Sequence, residues 1–256
     1  RYVSTISGGT SAQVIQAEDT YSALRDRVAI KIVRAQYAEQ AAQEARLLRY
    51  LAAPRRGAEE PCEHVVRLLD AFAFEGHACL VMERLYGSLA DYALREVPSL
   101  PAAEALRATR KIGAQLLATL LYLRRRGVVH ADIKPDNILF AEPRGAAGGG
   151  GGGSSMRLKL ADFGNAFTLA QAPQLFGEGD LQTLDYRAPE VVLGSPFGCE
   201  IDAWSAGVAL AELALGRPCF SATSAPQLLS QIAGALGRPP PPDVFGSGEL
   251  YARTMR

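Results

Sequence analysis

The chain has 256 residues, of which 48% are hydrophobic and 21% are charged, a composition typical of a folded globular protein. Its 27 Lys and Arg residues balance its 27 Asp and Glu residues, so it lacks the basic surplus that marks many nucleic-acid-binding proteins. The longest apolar stretch, residues 112–123, is too short to span a bilayer, and the first residues do not have the pattern of a signal peptide. We therefore expect no direct binding to nucleic acid and no membrane association.

Cysteine and lysine are the residue types whose distribution is informative. The four cysteines are scattered and form no C-x-x-C pair, so neither a zinc site nor a disulfide framework is indicated. Only four of the 27 basic residues are lysines, at positions 31, 111, 134 and 159. Because an ammonium is a compact charge and a guanidinium is a planar fork, a lysine kept in an arginine-rich chain indicates a position that needs the smaller cation.

The first third of the chain predicts a small sheet with one helix. Residues 1–35 have the pattern of strands, and residues 28–33 form a β-branched run that contains Lys31. Residues 38–51 predict a helix that places Glu44, Leu48 and Leu51 on one face. Residues 65–72 and 77–82 alternate like two strands joined by a turn at residues 75–76.

The chain after Leu85 predicts mainly helices. Pro101 suits a first helical turn, apolar residues then recur every three or four positions, and Gly127 ends this helix. Residues 202–215 predict a second helix, apolar on almost every side and therefore buried in the centre of its lobe. Six consecutive glycines at 148–153 indicate a flexible linker, and no Gly-Lys-Ser/Thr follows to make them a Walker phosphate loop.

Polar residues flank two short strands on either side of this linker. Residues 138–140 and 158–161 predict an antiparallel hairpin, with Asn137 just before it and Asp162 just after it. An amide oxygen and a carboxylate at adjacent strand ends suit Mg²⁺ bound together with phosphates. Asp132 and Lys134 lie on the loop that enters the first strand. Taken singly, the Asp and Asn residues are equally explained as turn formers, but Lys134 is not.

Five motifs occur in an order that resembles the eukaryotic protein kinases. They are V-A-I-K at 28–31, H-A-D-I-K-P-D-N at 130–137, D-F-G at 162–164, A-P-E at 188–190 and D-A-W-S-A-G at 202–207. The resemblance covers about residues 2–220. Tyr186 and Arg187 before A-P-E resemble the CMGC group, and the octapeptide with Ala131 resembles the nuclear, splicing-associated pre-mRNA-processing kinases.

The resemblance implies a Ser/Thr kinase that uses ATP and Mg²⁺. Asp132 would accept the proton of the substrate hydroxyl, and Lys134 would neutralise charge on the moving phosphoryl group. Asn137 and Asp162 would hold Mg²⁺, and Lys31 would contact the α- and β-phosphates.

Further residues acquire roles through the same resemblance. Lys31 would pair with Glu44, which we prefer to Glu39 because leucines follow it as a packing face. Thr183 falls where the family uses a threonine to hydrogen-bond Asp132 and Lys134. The adenine site would consist of the gatekeeper Met82, the backbone of Glu83 and Leu85, and the apolar side chains of Val14, Ala29 and Leu139.

The sequence departs from the kinase pattern at the phosphate loop and at the end of the chain. The expected G-x-G-x-x-G falls on Ser7 to Ala12, which keeps only Gly9 of the three glycines, with Gly8 beside it. The chain also stops before the last helices of a kinase domain, so we expect either a fragment or an abbreviated lobe. An active kinase and a pseudokinase that binds ATP with little turnover therefore both remain open.

The resemblance finally predicts an architecture, partners and a location. We expect an α+β bilobal fold, with a small β-sheet lobe at 1–83, a mainly helical lobe at 84–256 and a Gly-rich hairpin insertion at 141–157. The substrate would be a protein with a Ser or Thr acceptor, with Arg/Ser-rich splicing factors as the candidates. The subfamily resemblance places the protein in the nucleus, and the chain would otherwise be cytoplasmic.

Overall fold

The structure, a computed structural model of the chain, describes residues 1–21, 26–54, 60–142, 156–177, 180–239 and 241. The chain divides into two compact units, of which the first comprises residues 1–87 and 139–164 and the second comprises the remainder. The first change of unit lies near the predicted boundary at residue 83, whereas residues 139–164 return to the first unit. Most of the predicted hairpin insertion at 141–157 lies outside the described residues. In the described ranges, no helix is both long and apolar enough to cross a membrane.

A five-stranded antiparallel sheet of order β1-β2-β3-β5-β4 forms the framework of the first unit. Its third strand is the β-branched run that carries Lys31, and its side chains alternate between the two faces of the sheet, as the pleat requires. The last two strands are joined by Glu75 and Gly76, with φ of 48° and 79°, the left-handed pair that a tight hairpin turn needs. The strands are β1 (Tyr2–Gly8), β2 (Ala12–Glu18), β3 (Arg27–Val33), β4 (Leu68–Phe74) and β5 (His77–Glu83).

The predicted strand at 65–72 begins later than the sequence pattern indicated, because its first residues pair elsewhere. Strand β4 starts at Leu68. Val65 instead forms a parallel bridge with Leu160, and the amide of Val66 donates to the Leu160 carbonyl at 3.0 Å. Two valines in a strand-like pattern thus pair with a strand almost a hundred residues later, which local periodicity cannot reveal.

One long helix, α1 (Ala38–Ala52), packs against β4 and β5 in the first unit. Its buried residues recur at three- and four-residue spacing, as expected of a helix with one face on a sheet. They are Ala41, Glu44, Ala45, Leu47, Leu48 and Leu51. Glu44 is the charged member of this buried face, so α1 carries a carboxylate into the interior.

The second unit is mainly helical, as predicted, and the α+β fold class is confirmed. Its long helix ends where Gly127 adopts a φ of 65°, and its apolar helix ends at Gly216, with a φ of 66°. The helices are α2 (Leu89–Arg95), α3 (Ala102–Arg125), α4 (Pro189–Val192), α5 (Glu200–Leu215) and α6 (Ala225–Leu236). The remaining short strands of the chain are β6 (Tyr86–Ser88), β7 (Val128–Val129), β8 (Ile138–Phe140), β9 (Leu158–Leu160) and β10 (Phe167–Thr168).

Helix α5 is less completely buried than its all-round apolar sequence predicted. Ile201, Ala209 and Leu213 are fully enclosed, and α3 packs along one side of the helix. Ala203 and Leu215 are nevertheless exposed.

Two adjacent leucines on α3 test which side of this helix is buried in the core. Leu116 is 3% exposed and Leu117 is 60% exposed, although both occupy the same helix. We expect Leu116→Ala to lower the free energy of unfolding by about 2–4 kcal/mol, because it removes buried apolar atoms from the core and leaves a cavity in their place. The matched control Leu117→Ala should change it by less than about 0.5 kcal/mol. Urea unfolding followed by circular dichroism measures both, and equal losses in the two variants would contradict the packing described here.

Candidate active site

A buried ion-pair cluster in the first unit is centred on Lys31. Its ammonium donates to Glu44 Oε2 at 2.7 Å and to Asp162 Oδ1 at 2.7 Å. Strand β3 supplies the lysine and α1 supplies Glu44, whereas Asp162 follows β9. Glu39, the alternative partner of Lys31, instead lies 2.8 Å from Arg46. Glu44 is therefore the α1 carboxylate that holds Lys31.

Burial and charge act in opposite directions within this cluster. Burial lowers the pKa of Lys31, but the carboxylates of Glu44 and Asp162 outweigh it and raise the pKa above its ordinary value. Burial raises the pKa of Glu44, and the ammonium of Lys31 offsets only part of this increase. Removing the lysine would leave Glu44 buried without its counter-charge, so each residue depends on the other.

Gly164 lies in close contact with these charged groups. A Cβ at this position would lie 3.2 Å from Asp162 Oδ1, 3.4 Å from Lys31 Nζ and 3.6 Å from Glu44 Oε2. The first distance is tighter than ordinary van der Waals contact, so a side chain would displace the carboxylate. The glycine of the D-F-G motif therefore serves packing around the cluster, and Phe163 beside it is fully buried.

A second charged cluster, in the second unit, is centred on the carboxylate of Asp132. Thr183 Oγ1 donates to Asp132 Oδ1 at 2.7 Å, and Asn137 Nδ2 donates to Oδ2 at 3.0 Å. Lys134 Nζ lies 2.9 Å from Asp132 Oδ2 and also donates to Thr183 Oγ1 at 2.9 Å. The contacts of Thr183 are those that the resemblance implied. Three donors thus fix the orientation of one nearly buried carboxylate.

The backbone that carries Asp132 is held by a residue to which the sequence reading gave no site role. Asp202 on α5 accepts the amides of His130 at 2.7 Å and Ala131 at 2.9 Å. Ala131 has a φ of 61°, a left-handed conformation that is costly for a residue with a Cβ. The two hydrogen bonds therefore stabilise a strained turn immediately before Asp132. In the sequence, the only signal for this supporting role of Asp202 is its place as the first residue of the D-A-W-S-A-G motif.

Another buried network joins the segment after Thr183 to α5. Gln182 has a φ of 65°, and its carbonyl accepts from Arg187 Nη2 at 2.9 Å. The Gln182 side chain donates to Ser205 Oγ at 2.8 Å and accepts the amide of Ala188 at 3.0 Å. Burial lowers the pKa of the Arg187 guanidinium. These contacts fix the backbone next to Thr183, and the sequence reading did not identify Gln182.

The chain matches the family model described as "Protein kinase domain" over residues 1–237. The chain belongs to the protein kinase domain family. Similar curated proteins include homeodomain-interacting protein kinase 1 of Caenorhabditis elegans, which is 34% identical over 95% of this chain and 27% of its own length. The dual specificity protein kinase YAK1 of Saccharomyces cerevisiae is 32% identical over 91% of this chain and 26% of its own.

A third relative of this kinase domain is the serine/threonine-protein kinase ppk15 of Schizosaccharomyces pombe. It is 34% identical over 92% of this chain and 41% of its own length. The chain thus spans less than half the length of each of these three relatives. They are kinases of the CMGC group, which agrees with the coarser part of the sequence resemblance.

Three of the apolar residues predicted to hold adenine, Val14, Ala29 and Met82, lie on the five-stranded sheet of the first unit, whereas Leu139 lies on the separate sheet formed by β6, β8 and β9. Ala29 and Met82 are buried partners in the register of β3 with β5. Val14 pairs with Lys31 across β2 and β3 and is half-buried, as is Leu139 on β8. Glu83 ends β5, and the side chain of Leu85 two residues later is 5% exposed.

The phosphate loop of this kinase domain connects β1 to β2. Gly8 ends β1, and the amide of Gly9 donates to the Ala12 carbonyl at 2.9 Å. A Cβ at Gly8 would meet no atom within 4 Å, and one at Gly9 would meet only the Ala12 carbonyl at 3.7 Å. Packing therefore does not require either glycine, and their role in phosphate binding remains a prediction.

The side chains assigned to Mg²⁺ fit a hard cation in their donor chemistry. Asn137 donates from Nδ2 to the Asp132 carbonyl at 2.8 Å as well as to its carboxylate, so the amide oxygen is the atom that it can offer a metal. Asp162 offers a half-exposed carboxylate. An amide oxygen and a carboxylate are the ligand types that Mg²⁺ accepts alongside phosphate oxygens.

The buried carboxylate of Asp202 predicts a measurable pH dependence of stability. Burial raises the pKa of Asp202 from 3.8 to about 7, although the amides of His130 and Ala131 lower it. Between these values the folded kinase domain keeps a proton that the unfolded chain has lost, so the free energy of unfolding falls as the pH rises through this window. The decrease should amount to about 2–4 kcal/mol.

Asp202→Asn isolates this contribution because the amide does not titrate. Urea unfolding from pH 4 to 7.5 should show the wild-type free energy falling relative to that of the variant. A constant difference between the two proteins across the range would mean that Asp202 does not titrate between its ordinary and raised pKa.

Proposed function

We propose that this domain is an active protein serine/threonine kinase, which transfers the γ-phosphoryl group of Mg-ATP to a Ser or Thr hydroxyl of a protein substrate. The observation that carries the proposal is the Asp132 cluster, in which one carboxylate contacts both Lys134 and Thr183. A domain that only bound nucleotide would have no need of a carboxylate and an ammonium held together in this way. Lys134 supports Ser and Thr as acceptors, since the resemblance associates lysine here with Ser/Thr kinases.

The second unit supplies the groups that act on the substrate hydroxyl. Asp132 accepts the hydroxyl proton as the new oxygen–phosphorus bond forms and the bond to the ADP oxygen breaks. Its fixed carboxylate needs little reorganisation, since Thr183 and Asn137 already orient it. Lys134 contacts the same carboxylate and compensates negative charge on the transferred group. Phosphoryl transfer depends mainly on such positioning and charge compensation.

The first unit supplies the cation for the nucleotide phosphates. Lys31 binds α- and β-phosphate oxygens, and Glu44 holds its ammonium in place. Asp162 of this unit and Asn137 of the second unit would hold Mg²⁺, which would supply positive charge to neutralise the phosphates. Met82, Glu83 and Leu85 contribute the adenine site, with Glu83 and Leu85 acting through their backbone groups.

A pseudokinase that binds ATP without turnover is the alternative. The observation that favours it is the phosphate loop, where Ser7 and Ala12 stand in place of two of the three expected glycines. Because glycine allows amides to approach phosphates closely, we expect weaker ATP binding rather than none. The charged residues of both clusters favour the active kinase.

Substitution of Asp132 tests the assignment. We expect Asp132→Asn to lower kcat about 100-fold or more, because the amide cannot accept the hydroxyl proton. The matched control is Asp136→Asn, which removes an exposed carboxylate from the same loop and should keep most of the activity towards a peptide without arginine. Transfer of ³²P from Mg-ATP to a Ser peptide measures both variants. Turnover that survives Asp132→Asn would reject the catalytic role, and ATP binding without turnover in the unmodified chain would establish the pseudokinase.

We further propose that the substrates are Arg/Ser-rich proteins, such as splicing factors, and that the protein acts in the nucleus. The octapeptide at 130–137 with Ala131 is the sequence feature that supports this. In the second unit, Glu212 Oε2 accepts the Tyr186 hydroxyl at 2.8 Å, and Asp136 and Asp185 also help to raise the pKa of Tyr186. This concentration of negative charge beside the catalytic loop would favour an arginine-rich peptide.

A peptide pair tests the substrate proposal. The kinase should phosphorylate an Arg-Ser repeat with a kcat/KM about tenfold higher than a repeat in which alanine replaces arginine. Asp136→Asn should reduce this preference, whereas Glu104→Gln, which removes an exposed carboxylate on α3, should not. Equal rates on the two peptides would reject the Arg/Ser assignment without affecting the kinase assignment.

A Tyr version of the repeat tests the dual specificity that the name of the yeast relative YAK1 indicates for that protein.

A further inference from the structure

Lys159 is a nearly buried lysine in the middle of β9 to which the proposed reaction assigns no role. Its neighbours Leu158 and Leu160 are both 2% exposed. Successive side chains of a strand point to opposite faces, so the two leucines share one face and Lys159 occupies the other. Its side chain is 13% exposed, so the ammonium must find partners within the protein.

The partners of Lys159 come from two other segments of the first unit. Its Nζ lies 2.7 Å from Glu83 Oε1 and donates to the Val65 carbonyl at 3.3 Å. Glu83 Oε1 also accepts the Arg67 amide at 2.7 Å, and the Glu83 amide donates to the Arg67 carbonyl at 3.1 Å. The last residue of β5 is therefore held by both its backbone and its carboxylate.

The segment that contains Val65 is itself bound to β9. The Leu160 amide donates to the His64 carbonyl at 2.7 Å, and the Val66 amide donates to the Leu160 carbonyl at 3.0 Å. His64 Nδ1 also lies 3.0 Å from the Leu158 carbonyl. Lys159 thus lies where β9, residues 64–67 and the end of β5 meet. Its ammonium is the charged link between the end of β5 and the strand that leads to Asp162.

We propose that Lys159 is a positioning residue for adenine binding, acting through Glu83 on the backbone of residues 83–85. This inference rests on the proposed ATP site, because Glu83 and Leu85 carry the backbone groups assigned to the base. The Lys159–Glu83 pair fixes the end of β5 against β9, which continues to Asp162 two residues after Leu160. The same strand therefore sets the positions of both the base-binding backbone and the metal-binding carboxylate.

The chemistry of the site favours lysine over the arginine that dominates this chain. A carboxylate oxygen and a carbonyl oxygen from different segments both lie within reach of one small ammonium. A planar guanidinium is larger and prefers two parallel hydrogen bonds to one carboxylate, so it would move Glu83 relative to Val65. A neutral side chain would leave the Glu83 carboxylate largely enclosed without its counter-charge, and the end of β5 would have to shift to hydrate it.

Comparing ligands that contain adenine with one that lacks it separates an effect on adenine binding from an effect on overall stability. For Lys159→Met we expect ATP and adenosine to bind about tenfold more weakly, the scale of coupling within one ion-pair network, while Mg²⁺-tripolyphosphate binding is unchanged. Lys159→Arg keeps the charge and should fall between the two proteins. The matched control Lys111→Met, on the exposed face of α3, should bind all three ligands like the unmodified chain. Isothermal titration calorimetry measures the dissociation constants, and KM for ATP should rise by the same factor with kcat nearly constant.

A double-mutant cycle with Glu83→Gln provides the second measurement. If Lys159 acts through Glu83, adding Lys159→Met to Glu83→Gln should weaken adenosine binding by less than about twofold. Full additivity, or equal losses for ATP and tripolyphosphate in Lys159→Met, would overturn the inference and leave Lys159 with a purely structural role. Should Lys159→Met fail to fold, Lys159→Arg and Glu83→Gln decide the question by the same base-dependent losses. If the unmodified chain binds no adenosine at all, the proposed ATP site fails instead, which is a different result.

Discussion

The two hydrogen bonds from the backbone of His130 and Ala131 to Asp202 are the interaction on which the loop with the proposed catalytic base depends. Asp202 belongs to α5, a helix rich in apolar residues, and its carboxylate is enclosed there. Ala131 adopts a left-handed backbone conformation that its own side chain disfavours. Fixed acceptors are therefore needed to hold the turn, and the next residue along the chain is Asp132. Helix α5 thus holds the backbone turn that precedes the proposed base.

The lysines reveal a second constraint, which is that small cations are used where several oxygens converge. Lys31 contacts Glu44 and Asp162, Lys134 contacts Asp132 and Thr183, and Lys159 contacts Glu83 and the Val65 carbonyl. The fourth lysine, Lys111, lies on the exposed face of α3. Within the described residues, three of the four lysines thus hold carboxylates near proposed ligand-binding groups. The exact positions of exposed arginine side chains matter less, because ion pairs on the surface contribute little to stability.

The elements that were predicted well are those whose pattern is local. The hydrophobic face of α1, the turn at Glu75 and Gly76 and the end of α3 at Gly127 all follow from spacing and from the conformational freedom of glycine. The start of β4 was placed three residues too early, because Val65 and Val66 have a strand pattern but pair with β9. Periodicity shows that a segment is extended, but it does not identify the partner strand.

The sequence by itself determined which groups we propose to react, because the kinase motifs fix which carboxylates and ammonium groups occur and in what order. It also favoured Glu44 over Glu39, through the leucines that follow Glu44 on the buried face of α1. Only the tertiary structure revealed the supporting contacts of Asp202, Gln182 and Lys159, since each of these residues joins segments at least 19 residues apart. A hydrogen bond between distant segments leaves no periodic trace in a sequence, and a single buried Asp, Gln or Lys looks like any other until its partner is placed beside it.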